Sequence, residues 1–226
     1  MTNIKDVIRD TSVITEREVD QGMGCYRHSK PCCVGALLAG HFKVHRDNSY
    51  DYMRGYKAFA EALGGNGAHV IMMLRQAGAG EYPFNSKDWD IPVKEVWNNL
   101  YAIETLPTIT EHKFHECNFE GHNFDDIDLT RCDFFDSDFT DASLKNAVCV
   151  ETDFTCDMRR ANFSGAYLDR CNFAEADLGL ANFSGATIIK CRFGNVFSIE
   201  GAVFEPEHYE SKYRNKGLPF QGVQDV

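Results

Sequence analysis

The sequence predicts a repeat architecture joined to a helical N-terminal half, and three observations carry that prediction. A large apolar residue returns at every fifth position from Phe114 to Phe204, with two single-residue adjustments. A small or thiol side chain sits two places before most of these residues, as in Cys117, Cys132, Ala142, Ala161, Cys171 and Cys191. Between them lies Asp or Asn at eleven of seventeen positions. Neither a helical period of about 3.6 nor a strand period of about 2 produces such spacing, so a repeat has to be considered first.

The first thirty residues of the 226-residue chain carry Asp, Glu and Arg where a signal peptide would need an apolar block, which predicts a cytoplasmic protein. No apolar run approaches the roughly 20 residues of a membrane span. Pro31 suits the first turn of a helix that ends between Gly40 and Val44. Ser49 is a plausible N-cap for a second helix with Tyr52, Tyr56, Phe59, Ala60 and Leu63 at helical spacing, stopped by Gly64-Gly65-Asn66-Gly67. A third helix covers Ala68 to Ala77, with Val70, Ile71, Met73 and Leu74 turned inward, closed by Gly78 and Gly80. Pro83 to Asp90 reads as a loop. Pro92 starts a fourth helix to about Glu104, with Val93, Val96, Trp97, Leu100 and Ile103 on one face. Residues 1–108 are thus expected to form an α-helical N-terminal domain.

From Ile109 or Phe114 the beat takes over. It runs Phe114, Phe119, Phe124, Leu129, Phe134, Phe139, Leu144, Cys149 and Phe154, loses one residue, and resumes at Met158, Phe163, Leu168, Phe173, Leu178, Phe183, Ile188 and Phe193. This stretch resembles the pentapeptide-repeat family, whose consensus is a small residue, Asp or Asn, Leu or Phe, and two variable positions. The resemblance implies a right-handed quadrilateral β-helix over 109–205, of about five coils, with one pentapeptide per side. Residues twenty apart, or nineteen apart across the deletion, should then stack. The first face becomes Phe114, Phe134, Phe154, Phe173 and Phe193, a uniform column that a five-residue beat alone does not require. Ile199 and Phe204 fit only with an inserted residue in the final coil. Residues 206–226 read as a C-terminal cap and tail, with a short helix from Pro206 to Asn215 packed through Tyr209 and Tyr213.

Charge and side-chain type bound the function. Residues 111–205 hold 18 acidic and 8 basic side chains, so they carry nearly all of the formal net charge of −11. Direct nucleic-acid binding is not expected from a surface of that sign. A candidate acidic interaction ladder runs through Asp133, Asp138, Asp153, Asp157 and Asp177 on the first and second faces. Two readings stay open for it: carboxylates bonded to backbone at tight corners, or a row imitating phosphates, as the resemblance to family members that bind DNA gyrase or topoisomerase implies. The fourth face offers Val148, Val150, Tyr167 and Ile189, broken by Asp128, Thr130, Asp169 and Thr187, a candidate apolar contact face either for the helical domain folding back or for another subunit, as in a homodimer.

Catalysis has no positive signal: the sequence contains no Ser-His-Asp order, paired-carboxylate context or dinucleotide fingerprint. Of nine cysteines, six fall on the beat and read as small buried side chains rather than a disulfide framework. Cys25, His28, Cys32 and Cys33 form a weak candidate zinc or reactive-thiol cluster, whose spacing is not that of a standard zinc knuckle. No cofactor is expected. The sequence therefore predicts a non-enzymatic protein-binding or scaffold protein acting through the surface of a β-helix, with a gyrase-directed DNA mimic and a thiol-dependent enzyme as alternatives.

Overall fold

The computed structural model describes residues 60–61, 63–78, 95, 99–100, 102–205 and 207–210. The chain divides into two units, Met1–Thr108 and Ile109–Val226. The helix expected at Pro31, all but the last residues of the one expected from Ser49, the loop at 83–90, most of the helix after Pro92, and Cys25, His28, Cys32 and Cys33 lie outside the described residues.

In the first unit, helix α1 spans Gly67–Gln76. Its start is set by Asn66, whose side chain accepts from the backbone N–H groups of Ala68 and His69. His69 answers by accepting the Asn66 N–H at its Nδ1, 3.2 Å away. This reciprocal cap satisfies three donors that a helix start leaves open. Burial of His69 pushes its pKa down to about 4, which keeps the ring neutral and able to accept. The expected inward residues Val70, Ile71, Met73 and Leu74 are all buried. The preceding glycine pair stops a helix as expected: Gly64 takes φ +73°, its N–H bonds to Glu61 O, and the Gly65 N–H bonds to Ala60 O.

The second unit is a four-sided parallel β-helix. Each large residue of the beat from Phe114 to Phe193 points inward and is buried, as are Cys117, Cys132, Ala142, Ala147, Cys156, Ala161, Ala166, Cys171, Ala176, Ala181, Ala186 and Cys191 two places before. The chain bends between one large residue and the next small one. At nearly every bend the second variable position adopts a left-handed backbone, from Glu111 and Glu116 to Lys190 and Asn195, with glycine at 121, 165, 185 and 201. The N–H of the next small residue commonly closes the turn on the large residue's carbonyl, as in Cys132 to Leu129 and Ala166 to Phe163. A left-handed non-glycine residue costs about 1–2 kcal/mol. Offsetting this, each corner N–H donates to a carbonyl one coil on, for example Glu116 to Phe135, Asp136 to Thr155 and Arg160 to Gly179.

Coil-to-coil register follows the sequence arithmetic. Asp133 pairs with Asp153 at twenty, Asp138 with Asp157 and Asp153 with Asn172 at nineteen, and Asp177 with Ser198 at twenty-one. The deletion falls at the Thr155 corner, where the Cys156 N–H closes a tighter turn directly onto Phe154 O. The inserted residue falls between Phe193 and Ser198. First-face rings stack with centroids 5.4, 5.6, 5.2 and 4.9 Å apart from Phe114 to Phe193. A second column, Phe163, Phe183 and Phe204, stacks at 4.9 and 4.8 Å. The two columns meet edge to face, as Phe163 does with Phe173 at 84°.

The fourth face forms a continuous sheet of β1 (Val148–Val150), β2 (Tyr167–Asp169), β3 (Thr187–Ile189) and β4 (His208–Glu210), all parallel and in that order. β-Branched and aromatic residues stand outward here, and such residues suit extended pleated backbone. At 208–210 the strand β4 stands where the sequence predicts part of a helix from 206 to 215, so the parallel sheet runs at least to Glu210. The added residue lets Tyr209 sit over Ile188, and the Glu207 and Lys190 N–H groups find partners at Ala186 O and Glu210 O. Tyr213 lies outside the described residues.

Several small inward residues also supply donors to the coil below. Ser137 Oγ accepts from the Cys117 N–H at 3.0 Å and donates to Phe114 O at 2.6 Å, replacing the direct turn bond at that corner. Cys132 and Cys191 thiols donate to Ile109 O and Leu168 O, and the Thr152 hydroxyl to Leu129 O. Ser137→Ala therefore leaves two buried backbone groups without their bridge and should lower unfolding free energy by about 1–3 kcal/mol. Urea denaturation checks this, and Ser137→Cys, which keeps a weak donor, should recover part of the loss.

Candidate functional site

With the interior filled, the outward positions are what the molecule offers to its surroundings. The residue before each large one alternates out of the core, and in eleven places it is Asp or Asn. In every one of these its Oδ1 accepts the backbone N–H two residues on: Asn118, Asn123, Asp128, Asp133, Asp138, Asp153, Asp157, Asn162, Asn172, Asp177 and Asn182. The bond fixes the entry into each corner. Asp and Asn serve it equally, because only a carbonyl-type oxygen is needed.

The fold brings the predicted ladder together as two rows. Asp138, Asp157 and Asp177 stack in consecutive coils of the second face, and Asp133 and Asp153 on the first. A basic side chain meets each row. Arg159 Nη2 lies 2.6 Å from Asp157 Oδ2, Arg160 grips Asp141 at 2.6 and 2.7 Å, and His115 Nε2 lies 2.6 Å from Asp133 Oδ2. Burial pushes the Asp157 carboxyl up, but its bonds from Arg159 outweigh this and leave it below the usual carboxylate range. The Arg160 bond likewise holds Asp141 low. The arginines were not singled out from sequence, although nineteen residues separate Asp141 from Arg160, one shortened coil.

The fourth face carries the predicted apolar set on adjacent rungs. Val148 pairs with Tyr167 in one row, each 39% exposed. Val150, Asp169 and Ile189 align in the other.

Comparison with known proteins gives this repeat its family. Residues 113–148 and 156–195 match the model for pentapeptide repeats, in eight copies. This segment is a pentapeptide-repeat solenoid. The gap in the match contains the shortened corner at Thr155. Proteins of this family fold as right-handed quadrilateral β-helices, as the sequence resemblance implied. Similar solved structures include a pentapeptide repeat protein from the Arabidopsis thaliana thylakoid lumen, 24% identical over 41% of this chain and 64% of that one, TM-score 0.39. Another is Rfr23 from the cyanobacterium Cyanothece 51142, 19% identical over 42% and 86%, TM-score 0.21. A third is HetL from the cyanobacterium Nostoc sp. strain PCC 7120, described as involved in heterocyst differentiation regulation, 18% identical over 42% and 39%, TM-score 0.23. The chain thus spans under two thirds of the length of the Arabidopsis protein. No curated protein sequence matches it.

A shallow depression of about 250 Å³ opens beside Arg159, Arg160, Leu180 and Gly179, but both guanidiniums there are committed to aspartates. The six described thiols are free and buried. Burial pushes Cys132 up to about 12 and raises Cys149, Cys156 and Cys171 well above the ordinary thiol value, which leaves them protonated and inert. Among the described residues, no helix is long and apolar enough to cross a membrane, and no cluster of His, Cys, Asp or Glu has the arrangement of a metal site.

The backbone role of the ladder is separable from its charge. Asp157→Asn keeps an acceptor for the Arg159 N–H and loses an exposed ion pair worth about 0–1 kcal/mol. Asp157→Ala loses both and should destabilise by about 1–2 kcal/mol. Urea titration of the two variants should show the alanine cost exceeding the asparagine cost at least about twofold.

Proposed function

We propose that the protein is a non-enzymatic binding or scaffold protein that engages another protein through the fourth face of its β-helix. The observation carrying this reading is the contrast between faces. Ten of the eleven corner-holding Asp and Asn residues lie on the first three faces and only Asp128 on the fourth, whereas Val148, Val150, Tyr167 and Ile189 are not used that way and stand on a parallel sheet. Apolar residues grouped on one side of a polar prism mark an interaction surface. In this reading residues 1–108 form a helical domain, supported by α1 and by the helix end at Gly64 and Gly65. The protein works in the cytoplasm, where a core that uses thiols as packing and hydrogen-bond donors suits a reducing compartment.

One observation favours a second reading, an acidic surface directed at DNA gyrase or topoisomerase: Asp138, Asp157 and Asp177 do stack on consecutive coils. It ranks below the first because each of these carboxylates already serves a backbone amide and Asp157 is neutralised by Arg159.

Two variants of the full chain separate the readings when used as bait in native cell extract. Val148→Lys with Tyr167→Lys should lose the captured partner. Asp138→Asn with Asp157→Asn and Asp177→Asn should keep it, since asparagine preserves the corners while removing three charges. The reverse pattern, together with inhibition of gyrase supercoiling by micromolar protein, would transfer the function to the acidic faces.

A further inference from the structure

Among the described residues, Asp169 is the carboxylate that holds a buried oxygen without a hydrogen-bond partner. It lies in the row after the inward residue, not in the row before it, so it caps no corner amide as the eleven Asp and Asn residues do. Its neighbours in register are Val150 on one side and Ile189 on the other. A third β-branched residue there would complete an apolar row suited to a parallel sheet. Instead a carboxylate is held with only 9% of the residue exposed, and its Oδ1 is buried with no hydrogen-bond partner. An unmet buried acceptor is a cost the fold could shed by substitution.

The surrounding charges make the deficit specific. Asp169 Oδ2 accepts from Arg170 Nη1 at 2.9 Å. The same arginine's Nε donates to Glu151 Oε1 at 3.1 Å, and Glu151 Oε2 in turn takes Arg131 Nε at 3.3 Å. Arg131 also pairs with Glu111. The chain of contacts thus sets three carboxylates, Glu111, Glu151 and Asp169, against two guanidiniums. Lys190, on the next coil of the same corner, is engaged by Glu210 at 3.2 Å. Among the described residues the network ends one cation short, and the oxygen without a partner is at that end.

We infer that Asp169 is the centre of a docking site on the fourth face for a protein segment that presents one arginine or lysine flanked by apolar side chains. The cation supplies the missing positive charge beside the Asp169 carboxylate. Apolar residues on either side of the cation cover Val148 and Tyr167 in one row and Val150 and Ile189 in the other. Strands about 4.8 Å apart place these residues, on β1 to β3, within about 10 Å along the axis, the reach of a short extended segment. This inference rests on the fourth face being the contact surface.

The test uses the full chain and two synthetic nine-residue peptides of alternating valine and threonine, one with a central arginine and one with a central glutamine. Binding is read from the amide resonances of Val148, Tyr167 and Asp169. The arginine peptide should shift them and bind at least about tenfold more tightly than the glutamine peptide, and Asp169→Asn should erase that preference. Asp169→Val should fold with a Tm equal to or above that of the natural chain. Absence of shifts with the arginine peptide, equal binding of the two peptides, or a preference that survives Asp169→Asn overturns the inference. So does a fall in Tm of several degrees on Asp169→Val, because the carboxylate would then belong to the fold. A cellular partner lost on Val148→Lys with Tyr167→Lys but indifferent to Asp169→Asn leaves the broader reading standing and removes this one.

Discussion

The second unit depends on one packing requirement: each inward side chain must lie flat on the residue one coil below it. Coils climb by about 4.8 Å, which is more than the thickness of an aromatic ring and less than its width. Phenylalanine meets that spacing by offset stacking. The first-face rings accordingly lie 3° to 19° from parallel, and the Phe163, Phe183 and Phe204 rings 2° and 8°. The two columns meet edge to face across the prism, so the positive ring edge of one addresses the negative face of the other. Four such columns leave room only for small residues at the entry to each side. The interior of the described coils is thereby filled by these side chains.

Backbone geometry follows from the same requirement. Turning through a right angle every five residues demands left-handed conformations that Glu, Asp, Arg and even Leu180 are forced to adopt. A single such corner would be a liability. Repeated in register, each corner places its N–H under a carbonyl of the next coil, and the cost is offset by hydrogen bonds that exist only because the neighbouring coil has the same shape. The arrangement tolerates local exceptions where the bonds can be rerouted. At Thr155 a residue is missing and the turn tightens, and at Cys117 the Ser137 hydroxyl stands in for the direct bond.

Most of this was legible in the sequence because the solenoid is close to one-dimensional. Residue i+20 is a neighbour by construction, so the Phe114 column, the shift to nineteen after Phe154 and the extra residue before Ile199 could all be counted. What the count could not supply was the fate of side chains that have a choice. Asp138 and Asp157 read equally well as charges for a partner or as acceptors for a corner amide, and only atomic positions show the Oδ1 atoms spent on Thr140 and Arg159. Tyr209 carried a helix expectation because its segment lies beyond the regular beat. The tertiary demand of the open β3 edge overrode local propensity there. Asp169 looked like a polar interruption of the fourth face, and its unmet oxygen emerged only with the Arg170 geometry. The cap formed by Asn66 and His69 was missed because histidine three residues after an N-cap is not the usual glutamate or glutamine.

The faces thus differ in what their outward residues are free to do, and that difference comes from the core. Corner-holding residues are fixed by the stack, and the fourth face, where Asp128 alone of the eleven serves a corner, is left to carry other chemistry. Everything here rests on the stack being the principal source of order in residues 109–210. The most direct measurement is the unfolding free energy of Phe173→Ala, since this ring lies between Phe154 and Phe193 and meets Phe163 and Phe183 edge-on. If the columns hold the coils in register, the substitution costs about 3–5 kcal/mol and exchange protection falls in the coils above and below as well as at residue 173. A cost under about 1 kcal/mol, with protection lost only at the substituted rung, would contradict the account.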